Sequence, residues 1–160
     1  RDRIAASHPR PAQWDLRYRR GGLVDVEFIA QYLMLREAAR QPGALRCNPG
    51  EALTALAAAG ALPPQGARDL IEALLLLLHL RALLALLFEG VPDAAALAGP
   101  AGATLARCAG AIDFARLEAD MTAACRRVAA WYQRLIARPA RAVARHSAPG
   151  RGDKNGERTG

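Results

Sequence analysis

The sequence predicts an all-α protein, a bundle of about five helices followed by a disordered basic C-terminal tail. Composition points there first. Of 160 residues, 37 are Ala and 23 are Leu, residue types that favour helix. Val and Ile together number 10, and Phe, Trp and Tyr 8, too few to fill the pleated faces of a sandwich or barrel. Punctuation is the second observation: Pro and Gly separate segments whose apolar residues recur at spacings of three and four. With 52% of the chain apolar, a core can form and wholesale disorder is excluded.

The first helix is expected from Leu23, after Gly21-Gly22, to about Arg40, with Pro42-Gly43 ending it. It is apolar around most of its girth, which suits burial on more than one side. A second helix starts at Asn48-Pro49-Gly50-Glu51. Asn48 can cap it and Pro49 fits its first position, and Gly60 stops it. The third runs from near Pro64 to Gly90 and is the hydrophobic axis. Its apolar run Ala73–Phe88 holds His79 and Arg81 and is shorter than the ~20 residues of a membrane span. Gly99–Gly110 is a weak, Gly-rich helix at best. The last helix runs from its cap Asp113 to Arg138, before Pro139.

The net charge of +7 is concentrated at the ends. Residues 1–20 and 138–160 each carry +4, while 21–137 carries −1. No basic domain face is implied, so no nucleic-acid partner is expected. Residues 1–20 are charged and lack an apolar segment, so neither a signal peptide nor a membrane partner is expected. Cys47, Cys108 and Cys125 lack C-x-x-C spacing and are odd in number. They are read as buried thiols of a reducing, cytoplasmic compartment, and a zinc cluster is discarded. His8, His79 and His146 are too scattered for a metal site, and His79 is read as a core or rim residue. Trp131-Tyr132 is read as core packing.

One segment carries chemical information: Trp14-Asp-Leu-Arg17-Tyr-Arg-Arg20-Gly21-Gly22-Leu-Val-Asp25-Val-Glu27-Phe-Ile-Ala-Gln31. Arginines precede a Gly-Gly pair, which precedes a helix. Paired glycines allow positive φ and close backbone approach. A helix start offers free N–H groups and a positive dipole end. Those are the parts of a phosphate site. Glu27 and Gln31 lie about 40° apart on one stripe, whereas Asp25 lies about 200° from Glu27, so the two carboxylates cannot form one chelate. From the residues alone, blander readings of each part take precedence. Gly21-Gly22 can be a simple turn, Asp25 a dipole partner, and Glu27 an ion-pair partner of Arg17 or Arg19.

The segment resembles the Trp-Asp-Leu-Lys…Gly-Gly-(Leu/Ile)-x-Asp-(Ile/Leu)-Glu-Phe-(Ile/Leu)-x-Gln signature of the glutamine synthetase adenylyltransferase/adenylyl-removing enzyme family. Arg3-Ile4-Ala5 with His8-Pro9, and Asn48…Ala52-Leu53…Leu56…Gly60…Leu62, extend the likeness. Asp25 places it with the adenylylating half rather than the deadenylylating one. Two departures stand out. Position 17 is Arg where the family usually has Lys, and no Gly-Ser or Asp-x-Asp of a nucleotidyltransferase core is present. Asp25-Val-Glu27 and Glu118-Ala-Asp120 come nearest, in helical contexts.

The resemblance implies an enzyme that transfers AMP from ATP to a glutamine synthetase tyrosine, using ATP and Mg²⁺ in its full-length form. It implies three parts here: residues 1–22 as a connector from a missing nucleotidyltransferase core, 23–138 as the helical bundle, and 139–160 as the tail. The chain is expected to be a C-terminal fragment, or the product of a broken reading frame, with no catalytic residue, metal or cofactor of its own. Arg17, Gly21, Gly22, Asp25, Glu27 and Gln31 are expected to form one wall of the nucleotide cleft. Glutamine synthetase, the PII signalling protein and the missing core are the implied partners. The alternative is a non-catalytic helical protein-interaction module.

Overall fold

The computed structural model describes residues 11–40 and 45–140. Five α-helices run through them: α1 (Leu23–Glu37), α2 (Pro49–Ala58), α3 (Pro64–Leu87), α4 (Pro100–Cys108) and α5 (Phe114–Tyr132). The last continues into a π-helical turn, Gln133–Ala137. No strand occurs among the described residues.

Local chemistry sets most of these boundaries. Asn48 Oδ1 accepts from the N–H groups of Gly50 (2.8 Å) and Glu51 (3.3 Å), satisfying two donors that the first turn of α2 leaves open. Asp113 Oδ1 does the same for Arg116 N–H at 2.7 Å. At the far end of α2, Gly60 takes φ +73°, the left-handed turn that closes a helix and that glycine adopts without a Cβ penalty.

Three boundaries differ from the sequence reading. Helix α1 ends at Glu37 rather than Arg40; its expected terminator Pro42-Gly43 lies outside the described residues. Helix α3 ends at Leu87 because Phe88 turns to an extended conformation (φ −137°, ψ 145°), two residues before Gly90. The α-helical part of the last helix ends at Tyr132, where five residues widen into the π-helical turn. The expected disordered tail, apart from Pro139 and Ala140, lies outside the described residues, as do residues 1–10 of the expected connector.

Helix α3 is the axis of the bundle and packs on α1, α2, α4 and α5. Its Leu70, Ala73, Leu77 and Leu80 are fully buried against Ile29 and Leu33 of α1, Leu53 and Leu56 of α2, and Met121 and Val128 of α5, which share one core. Burying each leucine contributes on the order of 2 kcal/mol. By length and composition α3 could also cross a membrane. Its buried stripe is bundle core, and its other side carries the exposed Arg68, Glu72, His79 and Arg81. His79 is thus an exposed residue, not a core one. The core ends in a polar tie: Trp131 Nε1 donates to Asp69 Oδ2 at 2.9 Å, joining α5 to the start of α3.

Truncation at the axis tests this account. Leu77→Ala removes a fully enclosed side chain and is expected to cost about 2–5 kcal/mol in urea unfolding. A loss below about 1 kcal/mol would show that the axis is not packed as described.

Candidate functional site

The segment from Gln13 to Gly22 lies along α5, and its contacts follow a helical stripe. Trp14, buried, stacks on Phe114 with ring centroids 5.5 Å apart. Gln13 Nε2 donates to Glu118 Oε1 at 2.6 Å. Arg19 donates to the Gln13 carbonyl and to Met121 Sδ. Gly21 meets Cys125, and the Arg20 guanidinium sits 4.7 Å from the Tyr132 ring centroid. Positions 114, 118, 121, 125 and 132 are spaced by three, four or seven, so they share one face of α5.

Gly21 is where this contact is tightest. Its φ is +75°, and a Cβ there would lie 1.9 Å from the Cys125 carbonyl oxygen. Backbone meets backbone, and no side chain fits. At Gly22 a Cβ would lie 2.6 Å from the Leu16 carbonyl oxygen. The two glycines therefore serve close internal approach.

The start of α1 is closed by its own loop. Leu23 N–H donates to the Leu16 carbonyl (2.9 Å) and Val24 N–H to the Arg17 carbonyl (3.2 Å). Asp25 and Val26 N–H both point to the Gly22 carbonyl, at 3.0 and 3.4 Å. The Gly21 N–H donates to Asp25 Oδ2 at 2.6 Å. This corrects the sequence expectation of free donors for a phosphate: the first-turn N–H groups are already engaged. Asp25, fully buried, reaches back to the loop as the acidic member of a capping box does.

The six residues expected in a cleft wall thus fall into two sets. Gly21, Gly22 and Asp25 are buried and hold the loop on the bundle. Arg17 and Gln31 are exposed and Glu27 is half-buried. Glu27 and Gln31, four residues apart, share one side of α1, and the Arg17 carbonyl receives the Val24 N–H at the start of that helix. Among the described residues Glu27 forms no ion pair with Arg17 or Arg19; Arg17 lies over the Tyr18 ring, and Arg19 turns to Met121. Among the described residues, a surface concavity of about 550 Å³ between α4 and the turn before α5, and two smaller ones, take none of these six residues into their linings. No set of three His, Cys, Asp or Glu side chains among the described residues gathers to hold a metal ion.

A family model described as GlnD PII-uridylyltransferase matches residues 1–136. The chain belongs to that family. Its relatives are named bifunctional glutamine synthetase adenylyltransferase/adenylyl-removing enzyme, in keeping with the resemblance read from Trp14 to Gln31. The one from Xanthobacter autotrophicus is 35% identical over 139 residues, 85% of this chain and 14% of the relative. That from Rhodopseudomonas palustris is 33% identical over 136 residues, again 85% and 14%. A third, from Caulobacter vibrioides, is 48% identical over 73 residues, 46% of this chain and 7% of the relative. The chain therefore spans a small part of the family members it matches. No solved structure matches it.

What the sequence reading missed is the role of α5. Cys125 was grouped with two other thiols as buried, yet Cys47 and Cys108 are exposed and only Cys125 is enclosed. Burial raises the Cys125 pKa above its ordinary value; nearby Arg19 lowers it and Asp25 raises it further. Its carbonyl is the wall that Gly21 needs, and no local pattern announces a contact 104 residues away.

Two outcomes follow. Gly21→Ala combines a strained φ with a backbone clash and is expected to destabilise the fold by at least about 2 kcal/mol, read by thermal unfolding; an unchanged midpoint would contradict the contact. At pH 8, a thiol reagent should modify Cys47 and Cys108 at least about tenfold faster than Cys125, with all three equal in urea. Equal native rates would show that Cys125 is not sealed.

Proposed function

We propose that this chain is the helical part of a bifunctional glutamine synthetase adenylyltransferase/adenylyl-removing enzyme, from its adenylylating half. The parent enzyme would transfer AMP from ATP to a glutamine synthetase tyrosine and remove it by phosphorolysis, in the cytoplasm, under control of the PII protein. Support comes from the names of the relatives together with the signature that this chain carries from Trp14 to Gln31.

One observation carries the assignment of roles. The bundle uses Gly21, Gly22 and Asp25 internally, but it finds no partner among the described residues for the half-buried Glu27. A carboxylate in that position favours contact with something outside the bundle. Glu27 and Gln31 on α1, with Arg17 in the loop before it, would meet the nucleotidyltransferase core. Arg17 offers a planar fork where the family usually has a Lys point charge. Gly21, Gly22 and Asp25 would hold that wall in place from behind.

Magnesium and ATP belong elsewhere in such an enzyme, because the residues here do not fit them. Asp25 is sealed against the Gly21 N–H, Glu27 points about 200° away, Glu118 receives Gln13 and Asp120 receives Arg116. No chemical step is therefore assigned to a metal in this chain, and the chain by itself is expected to be inactive.

The rival reading, a helical interaction module, draws on exposed apolar residues, with Leu35 77% and Leu86 82% exposed. The complete enzyme separates the two. Glu27→Gln and Arg17→Gln are expected to lower adenylyl transfer at least about tenfold with the thermal midpoint unchanged, as for lost contacts to a reacting assembly. Unchanged rates in both variants would overturn the cleft-wall role. Measurable ATP binding by the isolated chain would overturn the placement of the nucleotide site in the nucleotidyltransferase core.

A further inference from the structure

The C-terminal half of α5 is cationic without relief. Residues 121–140 contain Arg126, Arg127, Arg134 and Arg138 and no Asp or Glu. All four arginines are exposed. Arg127, Trp131 and Arg134 recur at spacings of four and three, so they share one side of the helix. Arg138 follows four residues on, across the π-helical turn, whose wider repeat keeps it on that side. Arg20 lies over Tyr132, on the core-facing side of α5 some 140° round the helix from Arg127, and is not part of this stripe.

One of these guanidinium groups is placed in advance. Arg134 lies 5.2 Å from the Trp131 ring centroid. A guanidinium stacked on a ring keeps its N–H edge for a carboxylate and loses less freedom on binding. Trp131 is itself held. Its N–H goes to Asp69, Gly66 lies against the six-membered end of its ring, and it packs on the core. Asp69, the acid beside it, has one oxygen taken by Trp131 and the other by Gln65 Nε2 at 2.8 Å.

We propose that Arg127, Arg134 and Arg138 form a docking surface for an acidic segment of a separate partner protein. The proposal stands on these arginines alone, whatever reaction the parent enzyme performs. Single-stranded nucleic acid is disfavoured by the same geometry, since binding without sequence preference relies on aromatic faces offered to bases. Here Trp131 is packed and covered by Arg134, and Tyr132 is buried beneath Arg20. A permanent intrachain contact is disfavoured by composition, because the stripe has charged groups around one partly buried aromatic and no apolar centre. Charge without an apolar centre suits reversible, steered association.

The test uses the 160-residue chain and a fluorescent 20-residue oligoglutamate at low salt. Binding is expected to weaken about tenfold in R127Q/R134Q/R138Q and by less than about twofold in R46Q/R81Q/R107Q, which loses the same charge on other surfaces. The double variant R127Q/R138Q leaves the Arg134–Trp131 stack intact and should lose about threefold or more, so the test survives any instability of the triple variant. Raising salt from ~50 to ~200 mM should weaken binding by the chain with its native residues about tenfold. Equal losses in the two triple variants would reduce the effect to net charge and overturn the proposal. So would tighter binding of a 20-nucleotide oligothymidylate that is lost in R127Q/R134Q/R138Q.

Discussion

The arrangement depends on one contact that only glycine permits. At Gly21 the chain turns with positive φ against the Cys125 carbonyl, leaving no room for even a methyl group. That approach seats the loop on α5 and points its carbonyls at the start of α1. The loop then closes the helix: Leu16, Arg17 and Gly22 carbonyls receive its first N–H groups, and Asp25 returns a bond to Gly21. Orientation of α1 is thereby set from its first turn. Its outward side, Glu27 through Gln31 to Leu35, is a consequence of where Gly21 sits.

This closure decides between two chemistries that the same residues could serve. Gly-Gly before a helix is the raw material of an anion site when the N–H groups are open. When the preceding loop folds back and takes those N–H groups, the same sequence becomes a structural lock. A buried carboxylate at the third helical position belongs to the second case, because it brings negative charge where a phosphate would otherwise sit. The structure takes the lock, and any role in recognition passes to the neighbouring side chains that the lock positions.

Much of the bundle was legible because its signals are local. Asn48 and Asp113 name their own caps, Gly60 names a stop, and the Leu-rich axis declares itself by period. The stripe of α5 from Leu117 to Tyr132 was also readable from spacings of three and four. What escaped reading was non-local. Arg19 turning to Met121, Gly21 meeting Cys125, and Trp131 reaching Asp69 each join distant parts of the chain, and nothing in the flanking residues encodes the partner. The π-helical turn after Tyr132 and the exposure of Cys47, Cys108 and His79 depend on packing in the same way. Within the candidate site, the stripe shared by Glu27 and Gln31 was readable from helical angle alone. The burial of Asp25 was not, because an acid in a first turn looks the same whether it faces water or core.

The signature can therefore be divided by what the fold requires. Trp14, Leu16, Arg19, Gly21, Gly22 and Asp25 are consumed in seating the loop; each touches α5, the core or the start of α1. Arg17, Glu27 and Gln31 are not consumed, since the bundle packs without them. Glu27 and Gln31 follow the signature of a much longer enzyme yet are not needed by the bundle that bears them, and a surface of the longer enzyme would explain them; Arg17 departs from that signature. The same division separates two outward faces of this chain. The α1 side carries a carboxylate, an amide and an exposed leucine beside partly buried aromatics, a composition suited to a lasting interface. The α5 side carries arginines around a covered tryptophan, a composition suited to partners that come and go.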